Sequence, residues 1–274
     1  MVDYFIMPHL GLGDQFIMNG FVHFIREVLN ANKILILAKE AHSATLRDLY
    51  SEYSNISFIT IKGDQDIWGA DPEPFRAMLK KIADDGYKSI PFGIFSGSND
   101  YLKLDPCWAN CFYLQYKLPA SVRLDYFRSP KDLTKAEALY KKVSQQFGKN
   151  YIVIHDDPSR HLEIDYAKLT IWLNDNSLLN YTCIYLGQDR YKFSLCPFLT
   201  NVNCKDLLQV DSVIDYVSIL QNAKALIMID SSLAILADMV YDKTNNPTQK
   251  RLSYIRHSSF PTKGLYKNEW DYSD

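Results

Sequence analysis

Four short clusters in this chain carry the residue types that group-transfer chemistry needs. The first is Met7-Pro8-His9-Leu10-Gly11-Leu12-Gly13-Asp14-Gln15; the second is His155-Asp156-Asp157-Pro158-Ser159-Arg160. The third is Gly187-Gln188-Asp189-Arg190, and the fourth is Asp230-Ser231-Ser232. A carboxylate at the tip of a two-glycine turn can take a proton from a hydroxyl, and glycine, lacking Cβ, lets a substrate come close. Asp14 reads equally as a plain helix N-cap, its oxygen accepting a free backbone N–H. Ser231 and Ser232 open a helix, so hydroxyls and free N–H groups point outward together, an anion site suited to a diphosphate. The bland alternative for Ser231 is again a cap. Arg160 supplies the planar, bidentate charge that phosphate oxygens favour, unless it is an ordinary surface arginine.

One further pattern could hold a divalent cation. Asp64-Gln65-Asp66 has the Asp-x-Asp form, although Asp is common in loops for turn reasons alone. Other chemistries find no motif. Gly11-Leu12-Gly13 lacks the third glycine of a dinucleotide fingerprint, since Phe16 stands in its place. There is no nucleophile elbow, no Walker-type loop and no His-x-x-x-His zinc spacing. His9 lies in the opening turn and can line a pocket; His23 falls on the helix as a partly buried polar residue. The five cysteines form no Cys-x-x-Cys pair, which argues against a disulfide framework or structural zinc. Cys107 and Cys111, four apart, share a helix face as packing residues. Cofactor and resident metal are both expected to be absent.

The elements that must position these clusters alternate. Strands are expected at Tyr4–Met7, Lys33–Ala38, Ile56–Ile61 and Lys88–Phe92, with helices at Gln15–Leu29, Ala41–Tyr53 and Pro74–Asp84. In the first helix Ile17, Phe21, Phe24, Ile25 and Val28 trace one apolar face. Pro106–Lys117 and Asp132–Phe147 also read as helical. A second alternation follows: strands at Tyr151–Ile154, Thr182–Leu186 and Ala225–Ile229, with helices at Tyr166–Leu173, Val213–Gln221 and Leu233–Tyr241. Strands that are apolar throughout, separated by single helices, imply parallel sheets covered on both faces. The expected fold is therefore α/β, two Rossmann-like doubly wound domains facing a cleft. They span 1–140 and 141–274, the boundary falling within Ser129–Asn150. The segment from Asn245 onward has no clear period. All four clusters follow strands, at the edge where such sheets bind ligands.

Composition bounds the partners. The 274 residues are 47% apolar and 23% charged, with a net charge of −2, which gives no electrostatic footprint for nucleic acid or an anionic membrane. No apolar run reaches the ~18 residues of a membrane helix, and no signal-peptide pattern opens the chain, so a cytoplasmic protein is expected. Tyrosine and phenylalanine are abundant, a weak pointer to carbohydrate.

With these pieces in place, the chain resembles two-domain GT-B-fold glycosyltransferases, most closely the lipopolysaccharide heptosyltransferase type. That family opens with a strand and a small-x-Gly-Asp turn, matched by Gly11-Leu12-Gly13-Asp14. Its second domain carries an Asp-[Ser/Thr]-Gly-Leu-x-His-Leu turn, matched in part by Asp230-Ser231-Ser232-Leu233-Ala234-Ile235-Leu236. A strand ending in a polar run with Ser and Arg, as in His155–Arg160, also begins that domain. Two positions depart: the family's glycine is Ser232 here and its histidine is Ile235, both in the donor's phosphate cradle.

The resemblance implies inverting, metal-independent transfer of a sugar from a nucleotide-sugar donor to a glycan or other hydroxyl acceptor. Asp14 is the implied base on the acceptor-side first domain, with His9, Gly11, Gly13 and Gln15 shaping the acceptor turn. Arg160, Ser159, Gln188, Asp189, Asp230, Ser231 and Ser232 are the implied donor-binding residues on the second. Competing readings are a metal-dependent transferase of single-domain GT-A-like type using Asp64 and Asp66, and a non-catalytic nucleotide- or sugar-binding protein. A nucleotide-dependent epimerase is weakened by the missing third glycine.

Overall fold

The computed structural model describes residues 1–63, 65–68, 72–93, 104–155, 164–186, 200–201, 210–254 and 264–273. They divide into two compact units, Met1–Asp132 and Leu133–Asp274, each built on its own parallel sheet. Arg160, Ser159, Gln188, Asp189 and Asp64 lie outside the described residues.

In the first unit β1 (Asp3–Pro8), β2 (Lys33–Lys39), β3 (Ile56–Ile61) and β4 (Lys88–Phe92) form one sheet in the order β3-β2-β1-β4. Every pairing is parallel. The central strands β1 and β2 bury both faces, as parallel sheets do; Phe5 and Ile6 of β1 and Ile36 and Leu37 of β2 are fully enclosed, whereas the edge strands β3 and β4 are partly exposed. α1 (Leu12–Glu27) crosses from β1 to β2, α2 (Ser43–Leu49) follows a 3-10 turn over Glu40–His42, and α3 (Gln65–Trp68) and α4 (Glu73–Asp84) lead to β4. β1 lies between β2 and β4, so the strand order reverses there, and a doubly wound sheet opens its ligand crevice at such a switch.

α1 is not the one-faced helix that its apolar spacing suggests. From Gln15 to His23 every residue is buried, because α5 (Trp108–Leu114) and α6 (Val122–Asp125) return over its outer side. Tyr113 of α5 is fully buried and donates its hydroxyl to the Ile17 carbonyl at 2.5 Å. The helix ends at Glu27, leaving Val28 and Leu29 half in solvent.

The second unit opens with α7 (Thr134–Phe147) and has a six-stranded sheet. Its strands are β5 (Tyr151–His155), β6 (Thr182–Tyr185), β7 (Thr200–Asn201), β8 (Ala225–Ile229), β9 (Lys250–Tyr254) and β10 (Asp271–Ser273). The order β10-β9-β8-β5-β6-β7 places the switch between β5 and β8. α8 (Tyr166–Asp175), α9 (Val217–Asn222, after a 3-10 turn at Val213–Tyr216) and α10 (Ser232–Met239) complete the alternation. Asp165 caps α8, accepting from the backbone N–H of Ala167 and Lys168.

The C-terminal region supplies both β9 and β10, paired in parallel beyond β8. Its anchor is Asp238, a buried carboxylate on α10 that accepts from the backbone N–H of Lys267 and Asn268, the Asn268 amide and the Trp270 indole. Cys107, Cys111 and Cys183 are buried free thiols, as packing residues should be. Among the described residues, no helix is long and apolar enough to cross a membrane.

Candidate functional site

The site of the first unit is built where β1 and β4 end side by side. β1 runs out at Pro8, and the next residue, His9, donates its backbone N–H to the Phe92 carbonyl at 2.9 Å. Beyond Phe92 stands Gly93, with a φ of 129° that favours glycine. A Cβ there would also lie 2.9 Å from His9 Cβ. Phe92 is fixed in turn by the rings of Phe21, stacked at 4.4 Å, and of Phe112 and Tyr113. The end of β4 is thus a packed wall against which His9 rests.

α1 begins immediately afterwards. Its cap is Gly11, not Asp14; the carboxylate sits in the first helical turn and caps no N–H. Instead Asp14 Oδ2 meets His9 Nδ1 at 2.6 Å. An ionised carboxylate only accepts, so the shared proton sits on the ring nitrogen. The Asp14 side chain is 15% exposed and that of His9 50%. Asp14 Oδ1 has no hydrogen-bond partner among the described residues. Gly11 makes the arrangement possible, since a Cβ on it would fall 2.5 Å from Asp14 Oδ2. Gly13 is the second residue of α1, half-buried in the same turn.

Gln15 requires a correction. It does not face the turn: it is fully buried, and its amide reaches inward to the Leu37 carbonyl on β2 at 3.4 Å. Helical periodicity puts it about a quarter-turn from Asp14, and that rotation carries it under the helix.

At the switch point of the second unit stand the ends of β5 and β8. His155 closes β5, its Nδ1 against the Leu186 carbonyl. After β8 come Asp230, Ser231 and Ser232. Asp230 donates its N–H to the Tyr254 carbonyl and its Oδ1 accepts from the Tyr266 hydroxyl at 3.4 Å. Tyr266 is within 3.4 Å of the Ser253 hydroxyl, and burial pushes its own hydroxyl well above the usual tyrosine range, so it remains a donor. Ser231 is the cap of α10: its Oγ accepts from Ala234 N at 3.4 Å. The cap reading therefore describes Ser231, while Ser232 is half-buried with no hydrogen bond from its hydroxyl among the described residues. Ile235, where the resembled family has histidine, is 4% exposed and packs inward.

Asp66 behaves as a turn carboxylate. Its Oδ2 accepts from the backbone N–H of Lys62 at 2.6 Å and of Gly63 at 3.3 Å. Sequence reading missed Gly93, Phe92 and Tyr266, which hold His9 and Asp230 in place. The visible signal for Gly93 is a glycine straight after an apolar strand; for Tyr266 there was none.

No protein-family model matches this sequence, and no curated protein matches it. Solved structures do. The E. coli ADP-heptose lipopolysaccharide heptosyltransferase II superposes with a TM-score of 0.53 at 11% identity, over 99% of this chain and 92% of that one. E. coli heptosyltransferase WaaC with ADP-2-deoxy-2-fluoro heptose gives 0.50 at 10% identity, over 92% and 88%. A family 9 glycosyl transferase from Veillonella parvula gives 0.50 at 11% identity, over 92% and 81%. At these identities the likeness is one of fold: the chain shares the α/β architecture of heptosyltransferase-type glycosyltransferases.

Proposed function

We propose that the chain is a glycosyltransferase that moves a sugar from a nucleotide-sugar donor to an acceptor hydroxyl, with inversion and without a metal ion. The observation that carries this reading is the Asp14 carboxylate at the switch point of the first sheet, one oxygen held by His9 and the other without a hydrogen-bond partner among the described residues. Inverting transfer needs one base: the acceptor oxygen attacks the anomeric carbon, the bond to the donor diphosphate breaks, and the acceptor's proton leaves. In this reading Asp14 Oδ1 takes that proton and His9 positions the carboxylate. The first unit is then the acceptor side, its turn formed by His9, Gly11 and Gly13.

The second unit is the donor side. The departing diphosphate needs N–H dipoles or cations. Ser231 Oγ is already engaged with Ala234 N, so the cradle consists of the backbone N–H groups of Ser232 and Leu233 with the Ser232 hydroxyl. Arg160 and Ser159 are assigned to the diphosphate, Gln188 and Asp189 to nucleoside or sugar hydroxyls, and Asp230, oriented by Tyr266, to the donor's polar contacts. The fold likeness to transferases, one of them solved with a nucleotide-heptose analogue, supports the reading.

The test is a thermal-shift panel of UDP-, GDP-, ADP-, CMP- and dTDP-sugars, with and without EDTA, followed by turnover of whichever donor binds. One nucleotide family should raise the melting temperature by mass action, unchanged by EDTA. Asp14→Asn should then lower turnover by about 10²- to 10⁴-fold and leave the donor shift intact. A shift only with divalent cation would move the chemistry to Asp64 and Asp66. Binding without turnover by the intact chain would make this a binding protein, and no shift at millimolar donor would refute the donor site.

A further inference from the structure

The second sheet has an amino edge as well as a carboxyl edge, and a separate cavity of about 600 Å³ opens there. It is lined by the connection from α10 into β9 and by the residues leading into β10, including Tyr241, Lys243, Lys250, Arg251, Lys267 and Trp270. Asp230 and Ser231 lie at the other end of the same sheet, after β8, so this cavity belongs to a different edge.

Arg251 is its central feature. The residue is only 9% exposed, near the start of β9. Its guanidinium lies 3.8 Å over the Tyr241 ring, with the Trp270 ring at 5.9 Å. Nε and Nη1 have no hydrogen-bond partner among the described residues. Asp238 and Glu269 favour its charge only at a distance, without a hydrogen bond to it, and the Asp238 oxygens are taken by Lys267, Asn268 and Trp270. Asp271 on the cavity wall accepts from the Trp172 indole at 2.9 Å. Burial also pulls the guanidinium below its ordinary range, a cost that a bound anion would remove. Aromatic stacking leaves the in-plane N–H groups of an arginine to a planar or tetrahedral oxyanion.

We propose that this cavity binds a phosphate-bearing anion, with Arg251 on its floor and Lys243, Lys250 and Lys267 around its mouth. The lining then sets four cations against Glu269 and Asp271, an excess suited to a phosphate dianion. The proposal does not rest on the transferase reading.

Inorganic phosphate is the first probe, titrated at constant ionic strength against a chloride control and followed by thermal shift and calorimetry on the full chain. Glycerol phosphate in a second arm distinguishes free phosphate from a phosphomonoester. Saturable binding is expected, weakened at least about tenfold in Arg251→Gln and in a Lys243→Ala/Lys250→Ala/Lys267→Ala variant. Should Arg251→Gln fail to fold, the lysine variant, altered only at exposed positions, decides. Absence of saturable binding overturns the proposal. So does equal binding by the lysine variant.

Discussion

His23 offers a quantitative check on how α1 is packed. It is fully buried on that helix, its ring 4.6 Å from Tyr53 and 5.7 Å from Tyr50, and neither ring nitrogen has a hydrogen-bond partner among the described residues. Glu27, 3.8 Å away, favours the charged form, but burial opposes it more strongly, and Arg26 and Arg128 add to the opposition. The folded-state pKa falls from 6.5 to about 4. A base whose pKa is lower in the folded state binds its proton more readily when unfolded. Stability is therefore fully present above pH 6.5 and is lost as pH falls toward 4. The difference caps the loss at about 3 kcal/mol, and linkage places about 2 kcal/mol of it at pH 5. His23→Phe keeps the ring contacts and removes the proton site and two unsatisfied nitrogens. Urea unfolding of both proteins at pH 7.5, 6.0 and 5.0 should show wild type losing about 2 kcal/mol more than the variant across that range. Parallel losses would mean that His23 is not buried and neutral, and that Tyr50 and Tyr53 do not enclose its ring as described.

Three substitutions probe the site and its supports. Gly11→Ala puts a methyl 2.5 Å from Asp14 Oδ2 and should break the contact with His9; turnover of the identified donor should drop at least about tenfold with the melting temperature little changed. Gly93→Ala combines an unfavourable φ of 129° with a clash at 2.9 Å from His9 Cβ. It should cost roughly 1–3 kcal/mol in denaturant titrations and lower turnover as well. Asp238→Asn offers an amide to N–H groups that now find an oxygen, and should cost about 2 kcal/mol or more. Faster amide exchange at Lys267 and Asn268 would locate that loss in the C-terminal region.

The sheets were legible because their central strands are buried on both faces. Ile34–Ala38, Tyr151–Ile154 and Ala225–Ile229 are unbroken apolar runs, and all fall within observed strands. β9 and β10 gave no such signal. Lys250-Arg251-Leu252-Ser253-Tyr254 buries an arginine through stacking rather than through an apolar side chain, and β10 is an edge strand whose side chains stay largely exposed. α1 misled in a different way. Its apolar stripe is real, but Gln15, Asn19 and His23 at i, i+4 and i+8 are buried too: Gln15 reaches Leu37 of β2, Asn19 accepts from the Arg128 backbone N–H, and His23 packs on Tyr50 and Tyr53. Helical periodicity sees one partner and is blind to a second that arrives about ninety residues later.

The turn at residues 9–14 was visible as a motif, yet its working geometry was not. Gly-x-Gly-Asp before a helix fits a capping aspartate as well as a reactive one, and the spacing cannot choose between them. The choice is made by which group satisfies the carboxylate. Gly11 takes the cap position without a side chain, so Asp14 is left to find its partner in space, and His9 is delivered there by the β1–β4 pairing through Phe92 and Gly93. Strand pairing between residues over eighty apart therefore converts a local turn into an oriented carboxylate. The converse holds at Ser231, where the cap interaction is made and the hydroxyl is spent on it. Two helix starts that look alike in sequence thus differ in what they present: α1 a side-chain carboxylate held by His9, α10 a serine whose hydroxyl is engaged in capping. Substituting Ser231 should accordingly cost stability before donor affinity, whereas substituting Asp14 should cost turnover alone.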